Sequence, residues 1–319
     1  MKSLIIPVVT PPWIPSESQI YDVLETETIT RYGPEWAVWE ESAPGGAPRS
    51  FHNACRELMH TFSGLAKGVL VWGTTGEGTG LWWTQYSVLL AAMKKACPQD
   101  MHIYAGILGW DTMVWYQVRT AQSEGIDTMV LGLGHTANNT LRFQAAMKAL
   151  NTAGKLFLYT LPTFRPADKG FILTCLEDSR VVGFKDSSGD AEFFSWLLSL
   201  KERRPDFQVY HGDEWAYGEL SDDDLGRVDG LVAGSANIHT ALLAEYTKTP
   251  RDPVISHARS ALHKRIMWLS GRTWNSSVPT IERYIHGLKR RLVELNIFPH
   301  GQDALLSYQS GSLFKTYQG

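Results

Sequence analysis

From residue 51 onward, segments of helical period alternate with short apolar runs. Residues 51–67, 85–97, 113–124, 141–152, 167–176 and 191–203 repeat their apolar positions three and four apart, as one face of a helix requires. Between them lie runs rich in Val, Ile, Leu and Phe at 68–72, 102–108, 127–133, 155–161, 181–185, 207–211 and 230–233, with a short helix near Ala216. The opening run 4–9 supplies an eighth such segment. Near-continuous apolar runs separated by amphipathic helices are the pattern of parallel strands buried on both faces. Eight strand–helix units in about 240 residues predict an α/β chain of the (β/α)8, or TIM-barrel, type rather than an open doubly wound sheet.

Two regions depart from the alternation. Residues 14–50 are polar and rich in Pro, Gly, Trp and Glu, and they sit between the first strand and its helix. In a barrel that loop lies on the catalytic face, so the insert is expected to form a lid. Residues 251–296 read as one or two amphipathic helices, marked by Ile266, Ile281, Tyr284, Ile285, Leu288 and Leu292. The expected organisation is a barrel over 1–245 and a C-terminal helical extension over 246–319, packed on the barrel or on a neighbouring copy.

Composition narrows the function. The chain has 319 residues, 44% hydrophobic and 20% charged, enough apolar side chain for a large core. Thirty basic residues against 33 acidic ones leave a net charge of -3, with no electrostatic footprint for nucleic acid or an anionic membrane. No run approaches the roughly 18 apolar residues of a bilayer span. The run 4–9, broken by Pro7, is too short for a signal segment, and a cytoplasmic protein is expected. Cys55, Cys97 and Cys175 have neither disulfide nor zinc spacing. No His/Asp/Glu cluster has metal-ligand spacing, and His135 and His211 read as isolated structural histidines.

Catalytic groups of a barrel sit at the C-terminal ends of its strands. The second strand ends in Gly73-Thr74-Thr75-Gly76-Glu77. Its glycines permit a tight turn, and its hydroxyls and backbone N–H groups form a neutral cradle for a carboxylate; a Gly-rich turn with a helix cap is the plainer alternative. The fifth strand ends in Tyr159, either a proton shuttle aimed into the barrel mouth or a packed aromatic. The sixth ends in Phe184-Lys185-Asp186-Ser187-Ser188-Gly189. A lysine within a buried strand loses its proton to desolvation and becomes a nucleophilic amine; alternatively it lies past the strand end in water.

These segments, in this order and spacing over most of residues 51–245, resemble the dihydrodipicolinate synthase / N-acetylneuraminate lyase family of class I aldolases. The resemblance identifies Gly73 to Glu77 with the family's carboxylate-binding loop, Tyr159 with its proton-shuttling tyrosine and Lys185 with its Schiff-base lysine. The run 230–237, with Val232 and Gly234, is similar to the segment lining the substrate pocket, and 7–11 to the first strand. The resemblance implies a lyase that captures pyruvate or another 2-oxo acid as an imine on Lys185, with an aldehyde as second substrate. It implies no separate cofactor or metal, and a homotetramer or homodimer.

The chain also departs from that pattern. Dihydrodipicolinate synthase carries a tyrosine pair after the fourth strand, whereas residues 131–136 here contain none. The family's aldehyde-binding arginine has its nearest counterpart one residue further along, at Arg165. The fourth-strand segment and Gly212-Asp213-Glu214 suit the hydratase-aldolase branch at least as well. Trp36, Trp39, Trp72, Trp82, Trp83 and Trp110 are candidate walls for an aromatic aldehyde. A dehydratase or deaminase using the same lysine on a 2-oxo sugar acid, and a non-catalytic ligand-binding barrel, are the alternatives.

Overall fold

Alternate residues of a strand face opposite sides of a sheet, and in this chain both sides are dry. The computed structural model describes residues 2–9, 51–76, 78, 83–109, 111–134, 139–162, 166–271 and 280–298. Its strands are β1 (Ser3–Pro7), β2 (Gly68–Val71), β3 (His102–Ile107), β4 (Thr128–Leu133), β5 (Lys155–Thr160), β6 (Val181–Asp186), β7 (Gln208–His211) and β8 (Gly230–Val232). Each pairs in parallel with its neighbours in sequence, and β8 returns to β1, which closes the barrel.

One set of alternate side chains fills the lumen: Ile5, Leu70, Tyr104, Val130, Phe157, Tyr210 and Val232 form a single cluster. β6 sets Gly183 in register with Phe157, where a Cβ would collide with the phenyl ring. The other set, including Leu4, Ile6, Val69, Val71, Met129, Leu131, Leu156, Leu158 and Phe184, packs outward beneath the helices. Each large side chain buried this way stabilises the fold by about 1.5–3 kcal/mol before conformational entropy is counted.

The helices are α1 (Phe51–His60), α2 (Trp83–Ala96), α3 (Asp111–Ser123), α4 (Asn139–Ala149), α5 (Lys169–Cys175), α6 (Ala191–Ser199), α7 (Asp222–Arg227), α8 (Thr240–Lys248), α9 (Pro253–Gly271) and α10 (Thr280–Glu294). The boundaries differ from the sequence reading where backbone chemistry overrides periodicity. The helix expected over 51–67 stops at His60, and that expected over 191–203 tightens into a 3-10 turn after Ser199. The segment near Ala216 is also a 3-10 turn, Ala216–Glu219.

α7 went unread because it has no buried residue and so no apolar stripe. Ser221 caps it by accepting from Asp224 N, and Asp222, Asp223 and Asp224 place negative charge at the positive end of the helix. α8 was also missed. The 251–296 region resolves into α9 and α10, which pack on each other and reach the barrel mouth. The insert at 14–50 lies outside the described residues. Among those described, no helix is long and apolar enough to cross a membrane.

Candidate active site

Strand periodicity brings the chemistry to one spot. In β6, Phe184 packs outward, so Lys185 points into the barrel, in register between Tyr159 of β5 and Tyr210 of β7. Lys185 is only 7% exposed. Its Nζ lies 3.4 Å from the centre of the Tyr159 ring and donates to Ser187 Oγ at 3.2 Å. Ser187 falls on the lysine's side of the strand because it is two residues on. Gly212, just past β7, makes room for it: a Cβ there would collide with Ser187 Oγ and stand 3.2 Å from Lys185 Cε.

Burial holds the Lys185 ammonium well below the ordinary lysine value, and the Asp186 carboxylate opposes this only in part. Burial thus favours the neutral amine, the form of lysine that can act as a nucleophile, over the ammonium. The Tyr159 phenol is pushed up to about 12, chiefly by burial. Hydrogen bonds from Thr74 and Ser187 pull it back, and the Asp186 charge adds to the rise. Asp186 itself is raised to about 6 by burial, although Ser188 donates to it through its backbone N at 3.2 Å and its Oγ at 3.1 Å.

The loop that carries Thr74 and Thr75 is built on a strained turn. β2 stops at Val71 because Trp72 adopts φ +62°, a left-handed conformation that costs a bulky residue about 1–3 kcal/mol. The turn reverses the chain so tightly that Gly76 N and Gly78 N both donate to Gly73 O, at 3.0 and 3.1 Å. Neighbouring glycines accommodate it: a Cβ on Gly106 or Gly78 would collide with the Trp72 carbonyl. The turn delivers Thr74 and Thr75 to the mouth, and Thr74 Oγ1 sits 3.0 Å from Tyr159 Oη. Gly76 packs against the Val8 carbonyl and Trp72 backbone instead of the cavity wall. Glu77 and Arg165 lie outside the described residues.

Lys185, Tyr159, Thr74, Thr75, Ser187, Val232 and Gly234 share one cavity of about 250 Å³. Its far wall is supplied by residues the sequence reading did not single out for the site: Trp215 after β7, His263 and Met267 of α9, and Ile281 and Tyr284 of α10. The Trp215 and His263 rings lie 3.7 Å apart between centres, and Tyr284 meets Trp215 edge-on at 5.8 Å. Of the tryptophans proposed as walls, Trp72 is buried beneath the loop. Trp36, Trp39, Trp82 and Trp110, and the side chain of Trp83, lie outside the described residues.

Glu214 ties this wall to the barrel. It is 4% exposed, yet its carboxylate accepts from Ser235 N at 3.2 Å, Ser235 Oγ at 2.9 Å and Tyr284 Oη at 2.8 Å. Burial raises its pKa, and these donors offset the rise only in part. Tyr284→Phe removes one donor from a buried carboxylate. It is expected to cost about 1–3 kcal/mol of stability in a denaturant titration, with no change at Lys185. His211 is buried, its Nδ1 2.7 Å from Asp213 O; His135 lies outside the described residues. Among the described residues, no group of three or more His, Cys, Asp or Glu side chains is arranged to hold a metal ion.

No protein-family model matches the chain. The 4-hydroxy-tetrahydrodipicolinate synthase of Stenotrophomonas maltophilia is 26% identical over 190 residues, which cover 57% of this chain and 62% of that protein. The enzyme of the same name from Dehalococcoides mccartyi is 26% identical over 153 residues, or 46% of this chain and 51% of its own. The matches thus span about half to three fifths of these relatives' length. Several solved structures share the fold over 99% of the chain. Dihydrodipicolinate synthase of Bacteroides thetaiotaomicron has a TM-score of 0.67, 20% identity and 98% of its own chain covered. The sialic acid aldolase of Ruminococcus gnavus has a TM-score of 0.64, 12% identity and 98% covered. The matches bear out the resemblance to the dihydrodipicolinate synthase / N-acetylneuraminate lyase family.

Proposed function

We propose that the chain is a class I lyase that captures pyruvate, or another 2-oxo acid, as an imine on Lys185 and makes or breaks a carbon–carbon bond to an aldehyde. The observation that carries this reading is a lysine 7% exposed, with its ammonium form disfavoured, in the same cavity as a buried tyrosine and two threonine hydroxyls. The names of the similar proteins support it, since 4-hydroxy-tetrahydrodipicolinate synthase recurs among the relatives in sequence and a sialic acid aldolase is among the proteins that share the fold.

In the proposed cycle, Thr74 and Thr75 hold the substrate carboxylate and present its carbonyl in one orientation, which removes much of the entropic barrier. Lys185 Nζ attacks C2, and water leaves to give an iminium ion. That cation is an electron sink: when the C3–C4 bond of a 4-hydroxy-2-oxo acid breaks, its electron pair moves into the enamine. Tyr159 accepts the proton of the C4 hydroxyl as the aldehyde forms. The Tyr159 ring face, 3.4 Å from Nζ, favours the iminium charge.

The far wall argues for the kind of aldehyde. Trp215, His263, Met267, Ile281 and Tyr284 offer aromatic and apolar surface. The two carboxylates among the described lining residues are already engaged, Glu214 by Ser235 and Tyr284 and Asp213 by the backbone N–H groups of Trp215 and Ala216. An apolar or aromatic aldehyde therefore fits better than a polyol, as in the hydratase-aldolase branch.

The test is incubation with pyruvate followed by borohydride and peptide mass mapping. A reduced adduct on Lys185 is expected. A folded protein that yields no adduct with pyruvate or any other 2-oxo acid overturns the reading.

A further inference from the structure

The Lys185 amine cannot complete imine formation alone. Attack on the carbonyl leaves a positive nitrogen carrying a surplus proton and an alkoxide that needs one. In a cavity this buried, the two sites must be joined by protein groups or by water. We infer that Ser187 is a catalytic residue that carries this proton, linking Lys185 Nζ to Tyr159 Oη; the inference rests on the Schiff-base reading above.

Three observations converge on Ser187. It is 9% exposed and faces the cavity. Its Oγ accepts from Lys185 Nζ at 3.2 Å, and it also hydrogen-bonds the Tyr159 hydroxyl, lowering that group's pKa. Tyr159 in turn reaches Thr74 Oγ1 at 3.0 Å. The side chains thus form one chain in space: amine, serine, phenol, threonine. The backbone is shaped for this arrangement. Gly212 N donates to Asp186 O at 2.6 Å, bringing β7 against the end of β6, and only a residue without a Cβ at 212 leaves space for the Ser187 hydroxyl.

The proton balance closes. Nζ forms the bond to C2, and the carbonyl π pair moves onto oxygen. One Nζ proton passes to Ser187 Oγ as Ser187 gives its own to Tyr159 Oη, whose original proton goes to the alkoxide. The product is a neutral carbinolamine, with Ser187 and Tyr159 both restored. In the next step Tyr159 protonates the departing hydroxyl, so water, an iminium ion and a tyrosinate are formed. That tyrosinate is the base needed for carbon–carbon cleavage. No oxidant or further reactant is required.

The experiment follows the rate of pyruvate adduct formation by borohydride quench in the full chain, comparing wild type with Ser187→Ala and Ser187→Thr. Ser187→Ala is expected to slow labelling of Lys185 roughly 100-fold, at the lower end of the range of a positioned acid–base group. Ser187→Thr keeps the hydroxyl and is expected to recover most of the rate. Small buffer acids such as imidazole should accelerate Ser187→Ala and leave wild type unchanged, a response that a purely structural loss would not give. Labelling of Ser187→Ala at the wild-type rate, or a slow Ser187→Ala rate indifferent to buffer, overturns the relay while leaving the Schiff base intact. An unlabelled but folded wild type overturns both.

Discussion

Lys185→Met is expected to abolish pyruvate labelling, to lower turnover by about 10⁴-fold or more, and at the same time to stabilise the fold. The first two effects follow from removing an amine nucleophile that no other described residue of the cavity lining supplies. Stabilisation follows from burial. The folded chain holds Lys185 well below its ordinary value of 10.5, so between the folded and unfolded pKa values the unfolded chain carries a proton that the folded chain lacks. Stability then rises with pH through that window, and at neutral pH the native lysine is a net cost. Methionine has a similar length and no charge to desolvate. A gain on the order of 1 kcal/mol is expected at pH 7, together with loss of that part of the pH dependence. Denaturant titrations of both proteins at pH 7 and pH 10 measure it: the difference should shrink toward alkaline pH. A variant less stable than wild type at both pH values, with no pH-dependent difference between the two proteins, would mean that burial does not disfavour the Lys185 ammonium.

The barrel was legible because its strands are buried on both faces and its helices on one, which writes two different periods into the chain. Lys185 was legible for a related reason: a lysine within an apolar strand contradicts the pattern around it, and such contradictions tend to mark function. Ser187 carried the same signal in weaker form. Two residues past Lys185 in an extended segment, it had to share the lysine's face, but serine in a polar run after a strand draws no attention. Trp215, His263, Met267, Ile281 and Tyr284 were illegible for a different reason. They reach the cavity through the way α9 and α10 fold back over the barrel mouth, and that packing leaves no periodic trace. In the sequence Ile281 and Tyr284 are only apolar marks of an amphipathic extension, and Trp215 is not among the candidate wall tryptophans. The strain at Trp72 was hidden as well, since nothing in the order Val71-Trp72-Gly73 requires the residue before the glycine to take the left-handed conformation.

Tyr159→Phe separates capture of the 2-oxo acid from the chemistry that follows. The phenyl ring remains beneath Nζ, so the surface that favours the iminium is retained. What disappears is one oxygen, which meets Thr74 at 3.0 Å and accepts from Ser187. With the phenol pushed up to about 12, water near neutral pH does not ionise it, and tyrosinate arises only when the carbinolamine hydroxyl takes its proton. Phenylalanine therefore loses the donor that expels water and the base that opens the carbon–carbon bond. Turnover of a 4-hydroxy-2-oxo acid is expected to fall about 10²- to 10⁴-fold. Lys185 should still be labelled by pyruvate and borohydride, more slowly but to the same final extent, because dehydration can draw on solvent given time. Aldehyde release, followed alongside adduct yield, distinguishes this from misfolding, which would remove both. Turnover within a few-fold of wild type would assign the proton transfers elsewhere, and Thr74, the phenol's remaining partner in the cavity, would be the next hydroxyl to replace.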